Sequence, residues 1–460
     1  MSNLSYYIAL SGIETDRVAL ATTANDISNA NTPGFERETP AISTVNALDP
    51  LGIGGGADVT SILQDSNSFL QAASWQANAD VANLTARQQQ LSGIQNIFQE
   101  PSSTGLSSQL STFWNAWDAV AQNPSSPAPR AALIGDAQNV AQTLNQFSSQ
   151  LNAMSSQTAN QMDTTAGLVN NLLSQAASLN QQITSASAGG SQANSLIDQR
   201  NQVIQQLAQD IGITARTASN GSDTLSVGGV TLVQDNVADT VLVKTNPITG
   251  AISLQSQNSG ATLPVSSGTL AGLLAAHNTD FPNYLNQING VASDIANLVN
   301  TQLAAGYYDN GGTWTAGIPM FLNSSSGLAT GITAANIEVS PTIVSNPVDI
   351  AASDTSTLPN ATNDGNNAQT IATFYNSSSG PDQAYRALIE GLGAQVQGVN
   401  SQMATQQGVQ SAATASLQAA TGVSTDQEMI KTLQYQQAYQ ASAKVIVAVS
   451  TALQSLLAAV

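Results

Sequence analysis

The chain has 460 residues, and its composition departs from that of an average globular protein mainly in charge. Only 8% of the residues are Asp, Glu, Lys or Arg, against a typical share of about 25%. The net charge is −19, and no Lys/Arg cluster is present to neutralise phosphates. This balance excludes nucleic acid as an expected partner. Polar residues interrupt the uncharged stretch at 391–425, so we expect no membrane insertion.

Cysteine is absent, which excludes disulfides, thiolate metal sites and cysteine nucleophiles. The N-terminal residues carry no basic side chain before Arg17, so we expect no cleaved secretory signal peptide. His277 is the one histidine and lacks partners for a zinc site. We therefore predict no catalytic residue, no cofactor and no metal site, although a carboxylate pair formed only by folding stays open.

Several motifs resemble ligand sites but fit simpler structures better. The glycine tract at 52–56 lacks the context of a phosphate-binding loop, and we interpret it as a flexible loop. The stretch at 309–312 lacks the acidic ligands of a calcium loop and is predicted to be a turn. Acidic residues are scattered singly, and we predict that Asp136, Asp163 and Asp198 lie on solvated helix surfaces. The aromatic pairs at 6–7, 114–117 and 307–308 are predicted to be core.

The first thirty residues have the spacing of an amphipathic helix. Ile13, Leu20 and Ile27 are seven residues apart, and Leu10 shares their face. The Asn-Thr-Pro-Gly sequence at 31–34 predicts the end of this helix, because Pro followed by Gly terminates a helix and forms a turn. Residues 35–70 are predicted to be extended chain and loops.

The middle of the chain changes from helical to alternating periodicity and back. Helices are predicted at 81–98, 106–117, 130–187 and 196–211, with a break at Gly189 and Gly190. The long helix would extend roughly 85 Å at 1.5 Å per residue. A β meander follows, with strands at 224–227, 230–233, 237–243 and 251–254. Helix returns over 270–299, and strands are expected at 337–339 and 342–344.

Two helices end the chain. The first carries apolar side chains at spacings of three and four from Tyr385 to Met403. On the second, from about residue 426, Tyr439, Ile446 and Leu453 are seven residues apart, and Leu457 lies on the neighbouring row. The predicted fold class is mainly α with a β insert. It has long coiled-coil-like helices from both chain ends and a small β meander.

Two terminal motifs resemble signatures of the rod, hook and hook-associated proteins of the bacterial flagellum. The matching residues are Asn29, Asn31, Thr32, Pro33, Gly34 and Phe35 near the start, and Tyr435, Gln436, Gln437, Ala438 and Tyr439 near the end. Segments 196–200 and 268–274 are similar to internal segments of the hook-associated members of this family. The sequence departs from the common pattern at 35–37, where Phe-Glu-Arg replaces the more frequent Tyr-Ser-Arg.

The resemblance implies a fold with nested domains and a small β meander domain projecting outward. Residues 1–45 and 420–460 would form a terminal helical coiled-coil domain. Residues 46–213, 265–305 and 366–419 would form a helical bundle domain, and 214–264 a β-rich insert. The domain membership of the irregular segment 306–365 stays open.

The resemblance also implies a structural role at the junction between the flagellar hook and filament. The implied partners are copies of the chain in a ring, hook protein below, a second junction protein and the filament side above, and an export chaperone at the C-terminal helix. The implied location is extracellular, after export through the flagellar type III apparatus. The alternatives are another axial subunit, a surface peptidoglycan hydrolase or an adhesin.

We predict that self-association uses a hydrophobic seam on the two terminal helices. The candidate residues are Leu10, Ile13, Leu20, Ile27, Tyr439, Ile446, Leu453 and Leu457. Isolated helices are marginal in water, so these helices would be mobile in the free subunit and ordered on assembly. The alternative is an ordinary helical hairpin within one chain.

Overall fold

The computed structural model describes residues 2–46, 54–188, 193–378 and 380–458. Helix α1 (Ser2–Asn29) ends, as predicted, where the turn at 31–34 begins. Strands β1 (Glu38–Thr44) and β2 (Ala57–Gln64) pair antiparallel, with Glu38 opposite Gln64. The prediction of extended chain and loops at 35–70 did not specify this pairing. Gly52, in the predicted glycine loop, lies outside the described residues.

Four helices follow the hairpin: α2 (Ser68–Phe98), α3 (Leu106–Gln122), α4 (Pro127–Ala188) and α5 (Asn194–Ile211). Helix α2 begins thirteen residues before the predicted start at 81, because the Asn67 side chain caps it by accepting from the Leu70 backbone N–H. Helix α4 has 62 residues, a length of roughly 93 Å. The predicted break at Gly189 and Gly190 lies outside the described residues.

The insert contains two antiparallel sheets rather than one meander. The strands are β3 (Thr214–Thr217), β4 (Asp223–Val227), β5 (Val230–Gln234), β6 (Val237–Ala238), β7 (Val241–Thr245) and β8 (Ile252–Ser256). The first four form one sheet in chain order, and β7 pairs with β8 in another. The single strand predicted at 237–243 is wrong. The Asp239 side chain accepts from the backbone N–H groups of Thr240 and Asn258, which turns the chain between the sheets.

The second half of the chain returns to helix. Helix α6 (Thr269–Ala275) continues through a π-helical segment (Ala276–Asp280) into α7 (Phe281–Ala305). Four short strands follow: β9 (Tyr307–Asn310), β10 (Thr313–Ala316), β11 (Phe321–Asn323) and β12 (Ile337–Val339). The remaining helices are α8 (Pro341–Ser345), α9 (Asn366–Ala372), α10 (Pro381–Thr421) and α11 (Thr425–Ala458).

Two predictions in this half have opposite outcomes. The turn at 309–312 is confirmed: Gly311 and Gly312, both with positive φ, join β9 to β10. The strand at 342–344 is wrong, because Pro341 occupies the first turn of α8, where its fixed φ favours a helix start.

Two hydrophobic cores share helices α2 and α4. The first core packs α3, α7 and the N-terminal half of α10 around Phe98, Trp117 and Tyr385, and strands β11 and β12 contribute Phe321 and Ile337. The second core packs α5 and α6 against the insert sheets. The described structure confirms the predicted fold class, a mainly helical chain with long helices at both ends and small antiparallel sheets.

The aromatic pairs have different environments. Trp114 and Trp117 are buried in the first core, as predicted, whereas Tyr6 and Tyr7 are exposed and that prediction is wrong for them. Within the described ranges, no helix has an apolar stretch long enough to cross a membrane. The same ranges hold no group of three or more His, Asp or Glu side chains arranged for a metal ion.

Candidate assembly interface

Helices α1 and α11 pack against each other in antiparallel directions. The Thr432 hydroxyl lies 3.3 Å from that of Thr23, and Gly12 opposes Ser442 further along the pair. A Cβ at Gly12 would lie 2.9 Å from the Ser442 Oγ, so the two helices approach closely at this point. The terminal helices thus form one composite unit within the chain.

The hairpin of β1 and β2 lies along α1. The Ala57 backbone N–H donates to the Ser11 hydroxyl at 3.2 Å, and the Thr15 hydroxyl donates to the Ala57 carbonyl at 3.0 Å. At the other end of the hairpin, the Glu38 backbone N–H donates to the Asp26 carboxylate at 3.1 Å. These bonds join the hairpin to both halves of the helix.

The N-terminal motif forms a hydrogen-bonded turn that docks on α5. The Asn29 side chain accepts from the Thr32 hydroxyl, and the Thr32 carbonyl accepts from the Phe35 backbone N–H. The Pro33 carbonyl accepts from the Gln202 side chain of α5 at 2.5 Å. Gly34 has φ +77°, and a Cβ there would lie 2.9 Å from the same Gln202 side chain. Glycine is therefore required at the contact.

Most motif residues are open to solvent in the single chain. Asn31, Thr32, Pro33, Gly34, Gln436, Gln437, Ala438 and Tyr439 are exposed, whereas Asn29, Phe35 and Tyr435 are half-buried. Apart from the turn and its contact with α5, the motif side chains are available to other molecules.

The predicted seam residues line the terminal helices without being enclosed. Leu10, Ile13, Leu20, Ile446 and Leu453 are half-buried, and Ile27, Tyr439 and Leu457 are exposed. The fully buried positions of α1 are instead the small or polar neighbours Ala9, Thr15, Ala19, Thr22, Thr23 and Asp26. The pairing of α1 with α11 covers the seam only in part, and its use in self-association stays a prediction.

Helix α11 also carries apolar side chains on its outer surface. Met429, Ile430, Leu433 and Val447 have exposed fractions of 60%, 58%, 54% and 65%. Exposed apolar side chains in such number along one helix are typical of a surface that another molecule covers.

Buried carboxylates lie where α1, β1 and α11 meet. Asp26 and Glu428 are completely buried, and Glu428 pairs with Lys431 at 2.7 Å. Burial raises the pKa of Asp26 to about 7, and the negative charges of Glu428 and Glu38 contribute to the rise. The Glu38 backbone N–H and the Lys431 ammonium oppose this rise.

A second group of carboxylates lies between the β1–β2 hairpin and α5. Asp198 is 9% exposed and accepts from the Gln64 side chain, so the prediction that solvent surrounds it is wrong. Burial raises the pKa of Asp198 to about 6. Burial also raises the pKa of Glu36 to about 7, and the charges of Asp198 and Asp65 add to the rise. Asp65 itself pairs with Arg37 at 2.5 Å.

The sequence reasoning missed these carboxylates, although one signal for them was present. Asp26 lies seven residues after the buried Ala19, and Glu428 lies seven residues before the half-buried Tyr435. An acidic residue at an inward heptad position is unusual in a coiled coil and indicates a polar function for that layer.

The long terminal helices pair with each other and join a helical body through a hydrogen-bonded motif turn. This arrangement, with exposed apolar side chains on α11, is typical of a structural assembly protein. The family described as "Flagellar hook-associated protein FlgK helical domain" matches residues 91–321, just over half of the chain. The chain belongs to this family. The description "Flagella basal body rod protein" matches residues 7–35, and "Flagellar basal body rod FlgEFG protein C-terminal" matches residues 418–459. Both terminal motifs fall within these ranges.

Two similar proteins share the name flagellar hook-associated protein 1. Flagellar hook-associated protein 1 of Salmonella typhimurium is 32% identical over 143 residues, which span 31% of this chain and 25% of that protein. The Bacillus subtilis protein of that name is 30% identical over 157 residues, which span 30% of this chain and 31% of that protein. The alignments thus span only about a quarter to a third of these relatives.

A solved structure shares the fold. The flagellar hook junction protein FlgK from Burkholderia pseudomallei aligns with a TM-score of 0.64, covering 78% of this chain and 100% of that one. The sequence identity is 16%, so this likeness concerns the fold alone.

Proposed function

We propose that the protein is a structural subunit of the bacterial flagellar axis that forms the junction between hook and filament. Its assembly uses the N- and C-terminal helices. The observation that carries this proposal is the apolar surface of α11, which the rest of the described chain leaves uncovered. Membership of the hook-associated family supports it. Burial of that surface against neighbouring copies provides the driving force, at about 25 cal/mol for each Å² of apolar area.

The proposed partners follow from a position between the hook and the filament. Copies of the chain form a ring, with hook protein below and a second junction protein and the filament side above. An export chaperone covers the exposed face of α11 before assembly. The protein reaches the cell exterior through the flagellar type III apparatus, and it has no enzymatic activity.

Charged substitutions on the outer face of α11 test the proposal. Ile430→Asp combined with Val447→Asp places carboxylates where a neighbouring subunit would exclude water, and burying an unpaired charge is costly. Both side chains are exposed in the single chain, so we expect the monomer to fold normally. Cells that carry the double variant should make hooks but release flagellin monomer, and filament number should fall about tenfold or more. Immunoblots of the medium and electron microscopy of cells measure both effects.

The matched control is Ile248→Asp. This isoleucine is 92% exposed, on the connection between β7 and β8, and lies outside the terminal helices. We expect normal filaments in the control strain. Normal filaments in the double variant, or equal loss in both strains, would contradict assembly through α11. A lytic band from the purified protein in a peptidoglycan zymogram would contradict the structural role.

Assembly should also protect the terminal helices from proteolysis. Outer residues of α11 such as Met429 and Leu433 are exposed in the free subunit and become buried in the proposed ring. We expect brief protease treatment to shorten the free subunit at both ends, whereas isolated hook–filament junctions keep the full-length chain. Immunoblots with antibodies to each end measure this, and equal resistance in both states would argue against ordering on assembly.

A further inference from the structure

Carboxylates from several elements lie close together where the terminal helices meet the helical body. We use the name "root cluster" for Asp26 on α1, Glu36 before β1, Glu38 at the start of β1, Asp65 after β2, Asp198 on α5, and Glu428 on α11. The charged groups that face these six carboxylates are Arg37 and Lys431. The cluster joins the composite terminal unit to the helical body.

Both cations are already engaged. The Arg37 guanidinium bonds Asp65, and the Lys431 ammonium bonds Glu428. The remaining four carboxylates have neutral partners. Asp26 accepts from the Glu38 backbone, Glu36 from Gln71, Glu38 from Asn25 and Asn194, and Asp198 from Gln64. Neutral donors compensate a buried negative charge only in part.

Two buried carboxylate oxygens in the root cluster have no hydrogen-bond partner. They are the Oε2 atoms of Glu36 and Glu428. Glu36 is 5% exposed, so this oxygen lies in the interior of the contact. A protonated carboxyl requires less compensation than a carboxylate, because it carries no net charge and supplies a donor of its own.

We propose that the root cluster is a proton-dependent latch between the terminal helices and α5. When Glu36 and Asp198 hold protons, the segment after α1 docks against α5 through the cluster. When both groups ionise, their negative charges repel across the contact, and the terminal unit separates from α5. The latch operates in the single subunit and does not depend on the proposed assembly.

The pH range of the latch follows from the ionisation of its members. Docking buries Glu36 and Asp198, and this burial raises the pKa of Glu36 to about 7 and that of Asp198 to about 6. In the released chain the same groups return towards their ordinary values of 3.8 for Asp and 4.5 for Glu. Docking is therefore strongest below these ordinary values and weakens as the pH rises towards 7. Above about 7 it should change little.

A pair of labels can report the docked state. The chain has no cysteine, so Asn31→Cys and Gln206→Cys allow selective attachment of two nitroxides. Both positions are exposed, Asn31 in the docking turn and Gln206 one helical turn beyond the contact residue Gln202. In the full-length monomer we expect strong dipolar coupling at pH 5. At pH 7.5 the ratio of released to docked chains should be about tenfold higher or more.

Neutral substitutions separate the latch from a general pH effect. Glu36→Gln combined with Asp198→Asn removes both titrating charges and should keep the labels coupled at both pH values. Asp163→Asn, on the exposed face of α4, should behave like the native chain. Circular dichroism at each pH verifies that the helices persist. Equal coupling of the native chain at pH 5 and 7.5, or an equal pH response in both variants, would overturn the latch.

Discussion

Replacing Gly272 with valine should destabilise the protein by about 3 kcal/mol or more. A Cβ at Gly272 would overlap the backbone carbonyl oxygen of Asn83 and lie 3.0 Å from the backbone nitrogen of Arg87. Because both neighbours are backbone atoms of α2, no side-chain rotation relieves the clash. Helix α6 would have to move away from α2 and open the second core. Urea denaturation followed by circular dichroism measures the loss of free energy of unfolding.

Gly290→Ala is the matched control. Gly290 is an exposed glycine in α7, and no atom lies within 4 Å of the position that an alanine methyl group would take, so alanine fits without contact. We expect this variant to be more stable by up to about 1 kcal/mol, because alanine has a higher helix propensity than glycine. If Gly272→Val were as stable as the native chain, the close approach of α6 to α2 would be wrong.

Replacing Arg200 with leucine should cost about 3–5 kcal/mol and detach the β insert from α5. The Arg200 and Asp223 side chains are each 4% exposed and lie 2.9 Å apart. Arg200 also donates to the Gly221 carbonyl and to the Asn180 side chain, which itself bonds the backbone of Asp223. Leucine would leave the Asp223 carboxylate buried without a cation. Urea denaturation gives the stability, and proteolysis within 214–264 reports the insert.

Arg216→Leu provides the comparison for this prediction. Arg216 is exposed on β3, in the sheet that also contains Asp223. Its replacement changes the net charge by the same amount as Arg200→Leu, but it leaves no buried carboxylate without a cation. We expect a change in stability within about 0.5 kcal/mol. Equal losses in the two variants would show that charge, rather than the buried pair, determines the effect.

Sequence patterns predicted the helices whose apolar residues recur on one face. The spacing of Ile13, Leu20 and Ile27 predicted α1, and the turn at 31–34 predicted its end. Segment 268–274 resembles an internal segment of the family, but the sequence alone did not explain why glycines occupy two of its positions. Gly272 meets the backbone of α2, and Gly268 has φ +82° beside the backbone of α5. Those neighbours are distant in the sequence.

Two of the errors arose where a partner distant in the sequence determines the environment. Asp198 occupies a helix position that looks solvated, yet β2 and the segment before β1 cover it. The strand predicted at 237–243 divides because Asp239 bonds two backbone groups on different segments. Periodicity describes one element at a time, so it does not reveal which second element packs on a polar position.

The sequence by itself indicated a structural assembly protein, from its low charge and its two heptad-patterned ends, and the resemblance of its terminal motifs implied an axial subunit. Local periodicity is sufficient to predict the terminal helices because it acts within a single segment. Only the tertiary structure decided which face of each terminal helix is covered, and that Asp26, Glu36, Asp198 and Glu428 meet in one layer. Their burial and mutual charge are properties of the contact between elements, which no single segment contains.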